Sequence, residues 1–226
     1  MLTCISKTAA ATLTETSFAE GLEYLSRRDP RLARIFTRLG APPMWSREPG
    51  FPTLIHIILE QQVSLASAKA AHERLLAAAS PLTPQRFLEL DDARLKSIGF
   101  SRQKTAYGRH LAQSIIGGRL SLESLSTMDD DDAKSELMKV KGIGSWTADI
   151  YLLMALGRRD AFPSGDLALA VAAREVMSLG ARPTAEELAA VSQHWRPWRA
   201  VAARLLWRHY LSRTASHKVF RADGQQ

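Results

Sequence analysis

Between two short apolar helical patterns the chain runs Lys141-Gly142-Ile143-Gly144, and no other stretch restricts its folding so tightly. Leu137, Met138 and Val140 close the first pattern, while Ile150, Leu152, Leu153 and Leu156 carry the second, so the spacing predicts helix, turn, helix. Glycine reaches positive φ without penalty and lets a backbone come close to another group. Two glycines around one aliphatic residue therefore predict a tight turn with consecutive N–H groups open at a helix start, a place suited to a phosphate oxygen. Lys141 adds a point charge beside it. Such a contact would position a nucleic-acid backbone without reading its sequence. The glycines alone are equally compatible with an αα-corner in which glycine only caps a helix.

Around this turn the chain reads as helix almost throughout. Phe18 to Arg27 has amphipathic spacing, and Asp29-Pro30 pairs an N-cap with proline at the first helical position to open 31–39. Gly40-Ala41-Pro42-Pro43 breaks that helix; Pro52 opens the next, through Glu60. Gln61 to Ser64 form a turn, and Ser64 is placed to cap an alanine-rich helix over 65–79. Pro81 and Pro84 mark a loop before short helices to Lys96, then 101–116, then 129–140, whose acidic start complements the helix dipole. Beyond the turn, 166–178 and 184–193 are predicted helical, the second with the capping box Thr184-x-x-Glu187, and Pro197 opens a last helix to about Leu211. No strand pattern and no repeat emerges, so the predicted fold class is all-α.

Composition bounds the rest. The 226 residues are 46% hydrophobic, enough for a core in one large domain or two small lobes. A formal charge of +7 favours a polyanionic partner, nucleic acid being the commonest, although membrane surfaces and plain solubility also account for basic proteins. The single cysteine, Cys4, excludes a disulfide framework and a thiolate metal site and implies a reducing, cytoplasmic setting. Six scattered histidines without H-E-x-x-H spacing predict no zinc. The apolar runs are too short to span a membrane, and Met1 to Ser17 lacks the apolar stretch of a signal peptide and reads as a loose tail.

The segment Val140-Lys141-Gly142-Ile143-Gly144-x-Trp146-Thr147-Ala148, followed by Phe162-Pro163-x-x-Asp166, resembles the helix-hairpin-helix (HhH-GPD) DNA glycosylase superfamily and, within it, the 3-methyladenine DNA glycosylase II group of AlkA type. Three further blocks are similar to that group in its order: Ile58-Leu59-x-Gln61-Gln62-Val63-Ser64, Ile98-Gly99-x-Ser101-x-x-Lys104, and Trp195-x-Pro197-Trp198-Arg199 through Trp207. The likeness runs from about Asp29 to Tyr210. It implies two helical lobes with a cleft between them holding Asp166: a middle lobe over about 56–159, the other from 18–55 with 160–215, and tails at 1–17 and 216–226. It also implies the compact form, without the N-terminal β-domain of enterobacterial relatives.

The activity the resemblance implies is that of a monofunctional glycosylase of base excision repair, a monomer acting on alkylated bases in double-stranded DNA. Asp166 would be the catalytic carboxylate, with Trp146 and Trp207 as base-pocket aromatics. Gln61 and Gln62 would form the wedge loop, Gln62 filling the gap left by a flipped nucleotide. Ser64, Lys141, Gly142, Ile143, Gly144, Ser145 and Thr147 would meet phosphate, with Lys104 and Arg102 as further basic candidates. Main-chain carbonyls of Met138, Val140 and Ile143 would hold a structural monovalent cation, Na⁺ or K⁺; no cofactor is required.

The chemistry fits one carboxylate. An alkylated purine such as 3-methyladenine or 7-methylguanine carries positive charge on the base, so its N-glycosidic bond is already weak. What remains is to stabilise an oxocarbenium-like sugar and orient or deprotonate water. Ordinary glycosidases need a second carboxyl to protonate the leaving oxygen. Asp166 also reads as the N-cap of the helix it precedes, a compatible role; Asp149 is a weaker rival, expected to face solvent from within a helix. Lyases of this superfamily carry a Schiff-base lysine where Trp146 stands, so no lyase step is expected, and one cysteine rules out a four-cysteine iron–sulfur cluster. Trp146 would instead offer a π face to a cationic base. Trp195 and Trp198 read as core and Trp45 has no assigned role. Ile150 stands where a familiar member has a pocket tyrosine, and Tyr151, one residue on, points elsewhere on the helix. The rivals are a non-catalytic helix-hairpin-helix DNA-binding module and a bifunctional oxidised-base glycosylase.

Overall fold

The computed structural model describes residues 11–223, with side chains for 11–213. Residues 1–10 and 224–226, expected within the tails, lie outside the described residues. Helices follow one another as α1 (Glu15–Arg28), α2 (Pro30–Leu39), α3 (Phe51–Glu60), α4 (Leu65–Ala78), α5 (Pro84–Glu89), α6 (Asp92–Ile98), α7 (Arg102–Ile116), α8 (Asp130–Met138), α9 (Ser145–Met154), α10 (Leu167–Val176), α11 (Ala185–Ser192) and α12 (Arg199–Asp223). The only extended pairing among the described residues is the single bridge Thr12–Arg158. The all-α expectation holds.

Most helix starts follow from side-chain caps written in the sequence. Asp29, Ser64, Thr83, Asp91, Ser101, Asp129 and Thr184 each accept a backbone N–H from the first turn they open. Such a cap is worth about 1 kcal/mol. Two boundaries differ from expectation. A capping box between Thr14 and Ser17 starts α1 at Glu15, inside the stretch expected as tail. At the other end α12 continues past Leu211 and through most of the expected C-terminal tail, because no proline or glycine interrupts 198–223.

The chain divides into two compact units. Ser46–Leu156 forms one, starting ten residues earlier than the expected 56. Its centre is α3, whose Leu54, Ile55, Ile57, Ile58 and Leu59 are all 1% exposed or less. These side chains cover most of the helix surface, leaving a stripe through His56 and Glu60 partly open, and α3 packs against α4, α7 and α9. Burying each such side chain contributes about 1.5–3 kcal/mol. The Arg47 N–H donates to the Met154 carbonyl at 2.8 Å, which ties the start of the unit to the end of α9.

The second unit joins Thr12–Trp45 to the stretch from Gly157 onward. The Leu13 N–H donates to the Gly157 carbonyl at 2.7 Å, closing its two segments together. Here α12 is central, burying Ala200, Val201, Ala202, Ala203, Leu205 and Leu206 against α1, α2 and α10. Gly21 lets α1 approach closely, since a Cβ there would lie 2.8 Å from the Trp198 ring. Trp195 and Trp198 are buried, as expected of core residues. The buried Arg204 guanidinium donates to the carbonyls of Met44 (2.7 Å) and Ala200 (3.0 Å), and burial pushes its pKa down to about 10.

One carboxylate ties three parts of this unit. Asp29 accepts the Trp195 indole N–H at 3.0 Å, two guanidinium N–H groups of Arg31 at 2.9 Å, and the Arg31 backbone N–H. Burial alone would push the Asp29 carboxyl up, but hydrogen bonds from Arg31 and Trp195 outweigh it and hold the pKa at about 2. A depressed carboxylate stabilises the fold above the unfolded value and loses that contribution as pH falls through the folded one. Urea denaturation should therefore show roughly 2 kcal/mol lost between about pH 4 and pH 2. Asp29→Asn should remove most of that dependence while lowering stability at neutral pH.

Candidate functional site

The hairpin joining α8 to α9 is built from Val140, Lys141, Gly142, Ile143 and Gly144. Val140 and Ile143 are buried and anchor it, and the Ile143 N–H closes the turn on the Val140 carbonyl at 3.0 Å. Gly142 has φ +98°, and a Cβ there would lie 2.2 Å from Cγ of Tyr107. Only glycine fits. Gly144 differs: it caps α9 without a side-chain hydrogen bond, and a Cβ on it would meet nothing within 4 Å. The start of α9 therefore opens to solvent beside the exposed Lys141, Gly144 and Ser145. A helix N-terminus of this form concentrates positive potential and N–H donors.

Two side chains of this first turn are committed inward. Thr147 is 2% exposed and its hydroxyl accepts from Gln61 Nε2 at 3.0 Å, so the structure does not bring that side chain to the surface expected of a phosphate ligand. Ser145 donates its hydroxyl to Asp149 at 3.2 Å. Asp149, expected to face solvent, is 4% exposed and paired with Lys134 of α8 at 2.7 Å. The pair ties α8 to α9 behind the hairpin, which gives Asp149 a structural role.

The turn between α3 and α4 separates its two glutamines. Gln62 is exposed with φ +57°, and Val63 and Leu65 beside it are 46% and 64% exposed. Gln61 points back into the unit: its carboxamide donates to the Gly142 carbonyl and to Thr147 Oγ1, each at 3.0 Å. Gln61 is thus a tie between turn and hairpin, not part of an exposed wedge. Ser64 caps α4, accepting the Ser67 N–H at 3.2 Å. Lys104 is also reassigned: its ammonium donates to the Leu59 carbonyl at 2.7 Å, at the C-terminal end of α3, and burial pushes its pKa down. Arg47 grips Glu60 through two hydrogen bonds, at 2.7 and 3.0 Å.

Trp146 is half-buried on the first turn of α9; Ile150, one turn on, is buried. Tyr151 is fully buried and its hydroxyl accepts the Gly50 N–H at 3.0 Å, so it does turn away, as expected. Met138, whose carbonyl was a candidate cation ligand, is the last residue of α8.

In the other unit, Phe162 and Pro163 are buried and the Asp166 N–H folds back on the Pro163 carbonyl at 2.9 Å. That turn sets Asp166 as the N-cap of α10, with Oδ1 accepting the Leu169 N–H at 3.0 Å. The same oxygen accepts the indole N–H of Trp207 at 3.1 Å. These two donors, a helix-start N–H and an indole N–H, fix its rotamer. Trp207 is 8% exposed, and Trp45 stacks edge-on against it with centroids 6.4 Å apart. Trp45 has φ +50°, rare for an aromatic residue. No local signal assigns Trp45 a role, because its partner lies far along the chain.

Residues 55–197 match the model of the HhH-GPD superfamily base excision DNA repair proteins, a stretch that takes in the turn after α3, the hairpin and Asp166. The chain belongs to this superfamily. A Bacillus subtilis protein provisionally named DNA-3-methyladenine glycosylase YfjP is 30% identical over 195 residues, 83% of this chain and 67% of its own. The Schizosaccharomyces pombe 3-methyladenine DNA glycosylase Mag1, solved with abasic DNA, superimposes with a TM-score of 0.78 at 26% identity, over 84% of this chain and 95% of its own. The 8-oxoguanine glycosylase/lyase of Clostridium acetobutylicum has a TM-score of 0.73 at 19% identity, covering 88% of this chain and 71% of its own, and shares the fold.

Within the HhH-GPD fold the two glycines of the hairpin carry unequal constraints, and this is testable. Gly142→Ala meets both a positive φ and the Tyr107 ring, and should destabilise the protein by roughly 2–4 kcal/mol in urea titrations. Gly144→Ala, with open space around its Cβ position, should cost under about 1 kcal/mol.

Proposed function

We propose that the protein is a monofunctional DNA glycosylase that excises alkylated purines of the 3-methyladenine and 7-methylguanine class from double-stranded DNA, leaving an abasic site and an intact strand. The observation that carries this reading is Asp166, a carboxylate capped onto α10 and oriented by the Trp207 indole. One oriented carboxylate suffices for a leaving group that is already cationic. It stabilises positive charge developing at the sugar and takes a proton from the attacking water. The base leaves with the electrons of the C1′–N bond as the water oxygen joins C1′.

Trp146 supports the finer assignment. Its indole cannot form the Schiff base that a lyase step needs, and its face attracts a cationic base by about 0.5–2 kcal/mol. The exposed Gln62, with Val63 and Leu65 beside it, is available to fill the gap left by an extruded nucleotide. The N–H groups at the start of α9, Lys141 and the Ser64 helix start serve the phosphates. The carbonyls of Met138, Val140 and Ile143 are neutral oxygens and suit a monovalent cation; that of Val140 already accepts one N–H and keeps a second lone pair. Such an ion would link the hairpin to a phosphate.

The test is release of free methylated purine from alkylated duplex DNA by the wild type and by Asp166→Asn, following strand cleavage in the same samples. The wild type should free 3-methyladenine or 7-methylguanine and leave strands intact until alkali is added. Asp166→Asn should bind DNA with unchanged affinity and lose at least ~100-fold in rate. Binding by both proteins without base release would make the chain a DNA-binding module. Strand cleavage without alkali would make it a lyase.

A further inference from the structure

We infer that Gln61, Lys104 and Tyr107 form a splint that fixes the position of the Gln62 turn relative to the hairpin, so that the plug and the phosphate grip act as one rigid piece; this rests on the glycosylase reading above. Lys104 and Tyr107 are three residues apart on α7 and share a face. Lys104 holds the last turn of α3 through the Leu59 carbonyl, three residues before Gln62. The Tyr107 ring lies against Gly142, and its hydroxyl accepts the Gln103 carboxamide at 2.6 Å. Gln61 closes the third side, its carboxamide donating to the hairpin and to the first turn of α9. The turn thus has one anchor on α7 and one on the hairpin, and the hairpin has one on α7.

The physical reason for such a splint is entropic. A plug inserted into a base stack must be held in register with the phosphates gripped a few ångströms away, and every freedom left to the turn is lost on insertion. Gln62 already has a left-handed backbone, a conformation that a glutamine does not hold without support from its neighbours. The carboxamide of Gln61, bonded to Gly142 and Thr147, fixes the residue next to it in the chain. These are positioning residues. They touch neither the base nor the sugar in this reading, and act through Gln62.

A double-mutant cycle tests this under single-turnover conditions on a fully paired duplex with one methylated purine. Gln62→Gly removes the plug and accepts the left-handed backbone. Gln61→Leu keeps volume and removes both donors. Gln61→Leu should slow base release roughly tenfold in the presence of Gln62 and less than about twofold in the Gln62→Gly background. Equal slowing in both backgrounds would mean that Gln61 only supports the fold, and would overturn the proposal. Thermal melts are read first; if Gln61→Leu does not melt cooperatively, Lys104→Met, which keeps the buried stem and deletes the donor, runs the same cycle with the same two outcomes. A wild type that releases no base sinks the glycosylase reading and this inference together, whereas equal slowing leaves that reading standing.

Discussion

The contact between a bare backbone and an aromatic ring at Gly142 is the constraint on which the first unit depends. With φ +98° and the Tyr107 ring where a Cβ would be, the hairpin is held against α7 at a distance no other residue permits. That approach presents the Gly142 carbonyl to Gln61, and Gln61 in turn reaches Thr147 in the first turn of α9. The Lys134–Asp149 pair then closes α8 onto α9 from behind. A tight turn is thereby made rigid by three different kinds of interaction: packing, neutral hydrogen bonds, and a half-buried ion pair whose Asp149 side is costly to leave unpaired.

The second unit uses a different device. Several of its carboxylates are each satisfied by more than one partner. Asp29 serves Arg31 and Trp195, Asp160 serves Arg196 and Arg199, and Glu175 serves His209 and Arg213. Asp166 follows the same pattern, with one oxygen shared by a helix start and an indole. Fixed donors thus hold these carboxylates in place, and a carboxylate held in place is what stabilising a developing positive charge requires.

How much of this could be read from the residues depends on the range of the interactions involved. Helix starts were legible because a cap and the N–H it accepts lie two or three residues apart; Asp29, Ser64, Thr184 and Asp166 all cap where the sequence placed them. The hairpin was legible because glycine and its conformation are local. Asp149 was misjudged because its partner, Lys134, sits on another helix, and a carboxylate inside a helix gives no local sign of facing inward. Gln61, Lys104 and Thr147 were each given to DNA when the structure uses them, through partners 45 to 86 residues away, to hold protein to protein. Trp45 carried no signal at all, since the ring it packs against, Trp207, stands near the other end of the chain. The end of α12 was underestimated for the opposite reason: the absence of a breaker is weak evidence until the helix is seen to continue.

In the reading proposed above Asp166 has two duties, cap and catalyst, and they answer to two kinds of selection. As a cap it needs only an acceptor oxygen, and asparagine supplies one as well as aspartate does. A chain carrying Asp166→Asn would therefore fold, express and resist proteolysis like its parent, and no pressure for a stable protein would notice the exchange. On that reading, the negative charge matters only where damaged DNA is repaired. Position 166 is thus a place where stability holds the geometry in trust, while chemistry alone decides whether one atom is oxygen or nitrogen.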